Sequence, residues 1–412
     1  MFLLYNFFIQ IYILAIRLAA LFNSKAAKGL KGRKNWKQNL TSQIDTNENW
    51  IWMHCSSLGE FEQGRPVIEA LRKKFPDHKL ALSFFSPSGF EVQKNYKMAD
   101  VVFYLPFDTQ KNARELADIL KPKYWILVKY DYWFNHLKEQ KKINTKIIVV
   151  SSIFRSNQVY FKFTGKWMIQ KLKEYIHHFF VQDRNSKNLL EKVGISNVTV
   201  AGDTRLDRVK SIALETKKLD WVEKFKGKRK LIVVGSSWSR DEKLWIDYIN
   251  KYPPLNWKII FVPHEIDLKH IQSLRNKIET ESILFSEIKE TSDLDRIDVL
   301  MVDAIGYLSK IYASADFAYV GGGFNKSGVH NTLEPAVFGI PVVIGPNFKK
   351  FYEVKQMKKL GIVHSIKNYL EFEHLIMNLT VNDEKRNNIS KIANELFSEQ
   401  LSATQIIMDK LN

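Results

Sequence analysis

Short apolar runs alternate with segments of helical spacing from residue 49 onward. An apolar run bounded by turn residues predicts a buried strand, and apolar positions three or four residues apart predict a helix. Strands that alternate with helices in this way predict parallel sheets covered by helices on both faces. We expect strands at residues 50–53, 80–85, 101–104, 124–128, 146–150, 178–181, 231–234, 257–262, 299–302, 317–320 and 342–344.

The alternation is interrupted once, at residues 211–229, where the chain is polar and basic and has no strand pattern. The predicted strands on the two sides form sets of similar size, and 412 residues are enough for two hydrophobic cores. We therefore predict an α/β protein of two facing Rossmann-like domains, at residues 25–210 and 211–390. A C-terminal helix is expected over residues 391–412.

Residues 1–22 form a strongly apolar segment. Its interruptions are Asn6, Gln10 and Arg17. A cleaved signal peptide normally starts with a charged region, but no basic residue precedes Arg17. We predict that residues 1–24 are a membrane-anchoring helix, and that the basic cluster at 25–37 places the rest of the chain on the cytoplasmic face of an inner membrane. The length leaves open whether this helix crosses the membrane or lies in its interface, and a buried core helix is the alternative.

The formal net charge is +18, from 62 Lys and Arg against 44 Asp and Glu. This excess favours anionic partners. Because the basic residues are spread out and no nucleic-acid-binding module is recognisable, we predict a membrane surface or a small acidic substrate as the partner, and no nucleic acid. The single cysteine, Cys55, allows neither an intrachain disulfide nor a Cys-based zinc site. It is expected to be a packing residue more than a nucleophile.

A first candidate site is the sequence Ser-Ser-Leu-Gly-Glu at residues 56–60, which follows a predicted strand and precedes a helix. Ligands of open α/β sheets bind at the carboxyl ends of strands. Gly59 is expected to permit a tight turn that brings Glu60 to the crevice. Glu60 is then either a general base for a substrate hydroxyl or a carboxylate that only complements the helix dipole.

A second candidate is the Gly-rich stretch 321–335, which follows the predicted strand 317–320. A Gly-rich loop that opens into a helix offers free backbone N–H groups to a phosphate. It is neither the dinucleotide fingerprint nor a P-loop. Glu334, one turn into the predicted helix, is placed to accept ribose hydroxyls. The alternative is a Gly-rich turn that serves only tight packing.

Two smaller features support a crevice, and several catalytic motifs are missing from the sequence. Arg205 lies between the predicted halves, where its guanidinium could bind a phosphate or carboxylate, and His264 directly follows a predicted strand. There is no HExxH, and Asp131 is isolated, so we predict no metal and no cofactor. The absence of GxSxG argues against a serine hydrolase.

Several segments of the chain match the motifs of one known family. They are His-Cys-Ser-Ser-Leu-Gly-Glu-Phe at 54–61, Phe-Ser-Pro-Ser-Gly at 85–89, Tyr-Leu-Pro-Phe-Asp at 104–108, Gly-Asp-Thr-Arg at 202–205, Gly-Ser-Ser at 235–237, and the Gly-rich stretch through Glu-Pro at 334–335 with Gly-Ile-Pro-Val at 339–342 and Gly-Pro at 345–346. By these segments, and over nearly its whole length, the chain resembles the bacterial 3-deoxy-D-manno-octulosonic acid (Kdo) transferases. The resemblance implies a GT-B glycosyltransferase of lipopolysaccharide biosynthesis. It implies inverting transfer of Kdo from cytidine monophosphate (CMP)-Kdo to an acylated, phosphorylated glucosamine disaccharide, lipid IVA.

The resemblance also implies roles for individual residues. Glu60 would be the catalytic base. Donor-binding residues would be Arg205, Ser236, Ser237, His264, Gly321, Gly322, Gly328, Asn331 and Glu334. Acceptor-binding or supporting residues would be Ser57, Gly59, Ser86 and Asp131. The alternatives are a GT-B transferase that uses another nucleotide sugar and a non-catalytic lipid-binding relative.

The chain departs from the family pattern at three places. The usual Glu-x-Glu is replaced by Lys129 and Asp131, and the usual Asn-Ala-Arg by Ser-Ser-Ile at 151–153. The usual Pro-Arg-His is one residue shorter, at 263–264. These departures concern acceptor and donor contacts, and they leave the predicted fold unchanged.

Overall fold

The protein folds into two compact units, each built on one sheet. The computed structural model describes residues 1–253, 256–399 and 401–411. The first unit comprises Met1–Arg208 and Leu401–Asn412, and the second comprises Val209–Gln400. Each unit has a parallel sheet of seven strands with helices on its faces. The predicted α/β class with two Rossmann-like units is therefore confirmed.

The sheet of the first unit has the strand order β3-β2-β1-β4-β5-β6-β7. Its strands are β1 Trp50–Cys55, β2 Lys79–Phe84, β3 Val101–Tyr104, β4 Pro122–Val128, β5 Lys146–Ser152, β6 Ile176–Val181 and β7 Val198–Val200. Every residue of β1 is buried, as is usual for a strand covered by helices on both faces. The carboxyl ends of β1, β2 and β4 lie side by side, because these strands are neighbours and parallel.

The helices of the first unit connect these strands and precede them. They are α1 Phe2–Ala19, α2 Ser24–Gly32, α3 Trp36–Thr41, α4 Leu58–Lys74, α5 Pro87–Gln93, α6 Gln110–Ile119, α7 Phe134–Lys142, α8 Lys166–Tyr175 and α9 Arg184–Lys192. The chain then enters α10, Thr204–Glu215, which runs across the boundary of the two units.

Helix α1 is attached to the first unit by one face. The Tyr5 hydroxyl donates to Asp108 Oδ2 at 2.5 Å, and Asn135 Nδ2 donates to Asn6 Oδ1 at 2.8 Å. Its opposite face exposes Leu3, Leu4, Phe7, Phe8, Ile11, Leu14 and Leu18. By length and composition, α1 is long and apolar enough to cross a membrane. These hydrogen bonds make α1 part of the first unit, and the anchoring of residues 1–24 in a membrane stays a prediction.

The sheet of the second unit has the strand order β10-β11-β9-β8-β12-β13-β14. Its strands are β8 Lys230–Ser237, β9 Trp257–Pro263, β10 Ser282–Leu284, β11 Val299–Met301, β12 Phe317–Val320, β13 Val342–Ile344 and β14 Val363–Ser365. Its helices are α11 Asp220–Lys226, α12 Ser239–Lys251, α13 Leu268–Arg275, α14 Leu308–Ile311, α15 Leu333–Ala336, α16 Tyr352–Lys359, α17 Tyr369–Val381 and α18 Asp383–Glu399.

The C-terminal segment differs from the single helix expected over residues 391–412. It contains the end of α18 and a separate helix, α19, at Ala403–Asp409. Ser402 starts α19 by accepting the Gln405 N–H, so the chain begins a new helix there instead of continuing the old one. Helix α19 belongs to the first unit, where Ile407 and Met408 share a hydrophobic cluster with residues of β1 and α4.

Candidate functional site

Glu60 lies at the carboxyl end of β1, in the first turn of α4. Its Oε2 accepts the Ser57 N–H at 3.2 Å and so caps the helix. Burial and the nearby charge of Asp131 raise the pKa of Glu60, while Lys129, His54 and the Ser56 backbone N–H act in the opposite direction. The carboxylate therefore complements the helix start and also has the raised pKa that suits a general base.

The expectation that Gly59 permits a tight turn is wrong. Gly59 is a helical residue of α4 without a left-handed φ, and Ser56 and Ser57 form the connection from β1. A Cβ atom added to Gly59 would meet no other atom within 4 Å. The missing side chain instead leaves open space beside Glu60 at the start of the helix.

Asp131 follows β4 and is held by two donors. His54 Nε2 lies 2.8 Å from Asp131 Oδ2, and Trp133 Nε1 donates to the same oxygen at 3.0 Å. Burial alone would raise the pKa of Asp131, but hydrogen bonds from His54 and Trp133 outweigh burial and lower it below its usual value. Asp131 is therefore ionised at neutral pH, and its charge is one reason for the raised pKa of Glu60.

His54 is a fully buried residue of β1 that joins three elements. Its Nδ1 lies 2.8 Å from Ser83 Oγ in β2, and its Nε2 faces Asp131 after β4. Since an ionised carboxylate only accepts hydrogen bonds, Nε2 carries a proton. The site residues predicted from the sequence did not include His54. A single histidine within the apolar run of β1 could have indicated it, because a buried polar side chain needs a partner.

Ser86 lies where β2 ends, directly beside the end of β1. Its N–H donates to the Ser56 carbonyl at 2.7 Å, and its Oγ accepts the Ser88 N–H at the start of α5. The structure thus brings Ser57, Gly59, Glu60, Ser86 and Asp131 together at three neighbouring strand ends.

Arg205 lies at the start of α10 in the first unit, and a protein carboxylate already holds its guanidinium. Arg205 Nε donates to Asp203 Oδ2 at 3.0 Å, and Nη2 donates to the same oxygen at 2.6 Å. Asp203 also accepts from Gln63 Nε2 at 3.1 Å. A donor phosphate at Arg205 would have to share this guanidinium with Asp203.

The Gly-rich loop of the second unit packs against the end of β8. A Cβ atom on Gly321 would lie 2.2 Å from the Ser236 carbonyl oxygen. Gly322, at φ +83°, would place one 2.7 Å from His330 Cδ2, and Gly328, at φ +88°, would place one 2.8 Å from the Asn347 carbonyl oxygen. Tight packing therefore requires these glycines, whatever the loop binds.

Glu334 is the second residue of the four-residue helix α15, which corrects the prediction that it lies one turn into a helix. The helix begins only at Leu333, because the Asn331 side chain accepts the Leu333 N–H and forms a turn before it. Glu334 Oε1 accepts from Asn331 Nδ2 at 2.9 Å, and Oε2 accepts from Ser309 Oγ at 3.0 Å. Asn331 and Glu334 therefore form a hydrogen-bonded pair beside the Gly-rich loop.

Three aromatic rings meet at the carboxyl ends of β8, β9 and β12. Trp238 Nε1 donates to His330 Nε2 at 2.9 Å, and the planes of the two rings make an angle of 8° with each other. The His264 ring stacks on both, with centroid distances of 4.7 and 4.2 Å. Burial and the neighbouring His264 lower the pKa of His330 to about 4. His330 is thus neutral at pH 7, and Nδ1 carries its proton because Nε2 accepts the indole N–H.

Asp241 connects the first turn of α12 to the Gly-rich loop. Its Oδ2 accepts the backbone N–H groups of Trp238 and Gly322, both at 3.0 Å, and its Oδ1 accepts from the Tyr319 hydroxyl at 2.6 Å. Nearby, Ser237 Oγ donates to Glu242 at 3.1 Å, and Ser236 adopts φ +51°. The second unit therefore gathers the predicted residues Ser236, Ser237, His264 and the loop glycines at one edge of its sheet. The sequence had not indicated Trp238 or Asp241, and it had placed His330 in the candidate stretch 321–335 without giving it a role of its own.

Two further kinds of site concern a metal ion and the single cysteine. In residues 1–253, 256–399 and 401–411, no three His, Cys, Asp or Glu side chains are grouped so as to hold a metal ion. Burial raises the pKa of the Cys55 thiol well above its usual value, and Glu60 and Glu62 raise it further. Cys55 is therefore a protonated, buried packing residue.

A model of the 3-deoxy-D-manno-octulosonic-acid transferase (kdotransferase) family matches residues 32–208. A Kdo transferase of Chlamydia muridarum is 27% identical over 353 residues, which cover 82% of this chain and 79% of that protein. A bifunctional glycosyltransferase/methyltransferase of Fusobacterium nucleatum is 28% identical over 89% of this chain, but the chain spans only 57% of that relative's length.

Among solved structures, the UDP-GlcNAc 2-epimerase of Neisseria meningitidis has a TM-score of 0.60 and 15% identity. The similarity covers 87% of this chain and 98% of that one, and it concerns the fold alone. The family match, the relatives' sequences and the two Rossmann-like sheets agree. Residues 32–208 thus match the Kdo transferase family, the chain is similar in sequence to Kdo transferases over most of its length, and its two parallel sheets have the GT-B glycosyltransferase fold.

Proposed function

We propose that this protein transfers Kdo from CMP-Kdo to lipid IVA, with inversion at the anomeric carbon and without a metal ion. The first unit would bind the acceptor and the second the nucleotide. The observation that carries the proposal is Glu60, which has a raised pKa beside the ionised Asp131 and lies within the family domain at residues 32–208.

In the proposed reaction, Glu60 removes the proton from an acceptor hydroxyl as its oxygen attacks the anomeric carbon of Kdo. The new C–O bond forms on the face opposite the bond to CMP, which breaks, so the configuration inverts. CMP leaves with the bonding electrons, and its added negative charge needs nearby donors. Loop N–H groups, His330 Nδ1–H and Arg205 are the proposed donors.

The remaining site residues receive roles by their positions. Ser57, Gly59, Ser86 and Asp131 surround Glu60 and are proposed to support or contact the acceptor. The proposed donor-binding residues of the second unit are Ser236, Ser237, His264, Gly321, Gly322, Gly328, Asn331 and Glu334. Asn331 and Glu334 would meet the ribose, because a carboxylate and an amide that are hydrogen-bonded to each other beside the Gly-rich loop offer the acceptor and donor groups that ribose hydroxyls bind.

Helix α1 is proposed to attach the protein to the cytoplasmic face of the inner membrane. Its outer face is apolar and exposed, and a basic cluster follows at residues 25–37. Its inner face is bonded to the first unit through Tyr5 and Asn6, and a helix crossing the bilayer would lose these contacts. We therefore favour a helix that lies in the membrane interface.

The decisive experiment incubates the purified full-length protein with CMP-Kdo and lipid IVA and measures the mass of the product by mass spectrometry. We expect a product heavier by one or more Kdo units, with an anomeric configuration opposite to that of the donor, and unchanged turnover in the presence of a chelator. Activity with a different nucleotide sugar only would favour another GT-B transferase. Lipid binding without any transfer would favour the non-catalytic alternative.

The matched variant is Glu60→Gln, which keeps the shape of the side chain and cannot accept a proton as a carboxylate does. Turnover should fall by about 10²-fold or more, while CMP affinity stays nearly unchanged. Glu69→Gln is the control, since Glu69 pairs with Arg65 on the surface of the same helix. Near-normal turnover of Glu60→Gln would contradict the assignment of the base.

A further inference from the structure

An open groove of about 270 Å³ lies in the first unit between helices α1 and α2 and the turn that follows β2. Its apolar lining consists of Ile16 and Ala19 from α1, Ala26 from α2, Phe85 from the turn and Pro87 from the start of α5. No part of the reaction proposed above uses this groove. Its shape and chemistry therefore call for a separate explanation.

Arg33 and Asn23, two polar residues that line the groove, are already hydrogen-bonded within the protein. Arg33 donates to the carbonyls of Leu105 and Gly29, each at 2.8 Å, and to that of Phe85 at 2.6 Å. The Asn23 side chain accepts the first N–H groups of α2. A ligand of the groove would thus find few unsatisfied donors or acceptors, which favours a hydrocarbon over a sugar or peptide.

The groove lies between helix α1 and the strand ends where Ser86 and Glu60 are found. One wall is α1, whose other residues expose the apolar face described above. The opposite wall includes Ser86, which is bonded to Ser56 four residues before Glu60. Lys25 stands at the rim, where its charge suits a phosphorylated headgroup. These features suit a molecule whose apolar tail lies in the groove and whose anionic sugar headgroup lies near Lys25 and Ser86.

We propose that this groove binds one fatty acyl chain of the acceptor lipid. The inference rests on the proposed function in so far as that acceptor is acylated. An acyl chain seated there would be drawn from the membrane along α1, and its sugar would be held near Glu60. Each methylene removed from water strengthens binding roughly fourfold, so a few carbons are enough to affect acceptor affinity.

The test fills the groove with Ala26→Phe and uses Ala27→Phe as the matched control, since Ala27 is the next residue of α2 and does not line the groove. Kinetics are measured with lipid IVA in detergent and with the same disaccharide after removal of its acyl chains. We expect Ala26→Phe to raise KM for lipid IVA at least about tenfold. It should leave the deacylated acceptor unaffected, and Ala27→Phe should change neither.

A binding assay decides the matter independently of catalysis. Parinaric acid, a naturally fluorescent fatty acid, should bind to the wild-type protein and to Ala27→Phe but not to Ala26→Phe. Ala19→Phe, at an exposed position on the groove wall, serves as a second filling variant should Ala26→Phe fold poorly. Equal parinaric acid binding by all four proteins would overturn the inference. Failure of transfer by the wild type with intact, groove-dependent binding would contradict the proposed function alone.

Discussion

Two carboxylates at neighbouring strand ends have opposite pKa shifts. Burial and Asp131 raise the pKa of Glu60, whereas hydrogen bonds from His54 and Trp133 overcome burial and lower the pKa of Asp131. Groups whose environments separate their pKa values in this way commonly take different catalytic roles. In the proposed mechanism, the base is the carboxylate that holds its proton more tightly, and the other supplies fixed charge.

Asp131→Asn tests this division at the residue level. Removing the charge of Asp131 should lower the pKa of Glu60, so the acid limb of kcat/KM against pH should move to lower pH. The direction follows because Glu60 acts only when deprotonated, and a lower pKa leaves it deprotonated in more acidic solution. Asp77→Asn, on an exposed loop, is the control. An unmoved acid limb in Asp131→Asn would argue against electrostatic coupling of the two groups.

Trp238→Phe tests the paired rings of the second unit. The substitution keeps an aromatic ring beside His264 and removes the N–H that holds His330 as the Nδ1–H tautomer. If His330 Nδ1–H donates to the nucleotide phosphate, losing this support should weaken CMP binding about fivefold, the equivalent of roughly 1 kcal/mol. Calorimetry with CMP measures the effect. Trp245→Phe is the control, because the buried Trp245 indole N–H has no hydrogen-bond partner in the described part of the chain.

The sequence predicts some site residues and not others for a physical reason. Ser86 lies just after an apolar run and Glu60 at the start of the helix that follows one, so a parallel sheet alone places them at its ligand-binding edge. Asp241, by contrast, holds the Gly-rich loop by accepting the backbone N–H of Gly322, which is 81 positions away in the chain. Such a contact depends on which strands are neighbours and which rotamers fit, and neither is encoded in local spacing.

At the level of elements, the missed strands share one property. Every strand predicted from an apolar run is present, but β7, β10 and β14 had not been predicted. Each has three residues and lies at the edge of its sheet. An edge strand pairs on one side only and is partly exposed, so its sequence lacks the long apolar run that marks a central strand.

Gly322→Ala tests the Gly-rich loop as an element. The added methyl would clash with His330 and the Gly328 carbonyl, and φ is +83°. Gly361→Ala is a matched control, because its φ is +79° and a Cβ atom there meets nothing within 4 Å. Both variants should lose about 1–2 kcal/mol of unfolding free energy from the left-handed φ. Only Gly322→Ala should lose CMP affinity, by about tenfold or more. Equal affinities would show that the loop conformation is not needed for nucleotide binding.

At the level of the whole molecule, the net charge of +18 and the apolar face of α1 should act together on an anionic membrane. Replacing Phe7 and Leu14 by Ser removes two exposed apolar side chains, each worth roughly 1.5–3 kcal/mol when buried. Binding to vesicles that contain an anionic phospholipid should weaken by about 10²-fold or more.

The control replaces Leu370 and Val381, two exposed apolar residues of the second unit, by Ser. Sedimentation with vesicles measures binding, and high salt should weaken the binding of all three proteins because it screens the basic residues. Membrane attachment by α1 would be contradicted if the Phe7 and Leu14 variant sedimented like the wild type at every salt concentration.

The return of α19 to the first unit governs the order in which the chain can mature on the ribosome. Lys74 Nζ donates to the Met408 carbonyl across 334 positions, and Ile407 fills the cluster behind α4. The ribosome must therefore complete the second unit before the first can close its core, and α1 emerges long before that. During this interval the part of the hydrophobic cluster that α19 covers stays open. A frameshift late in the second unit would consequently damage the helix that bears Glu60, although that helix was synthesised hundreds of residues earlier.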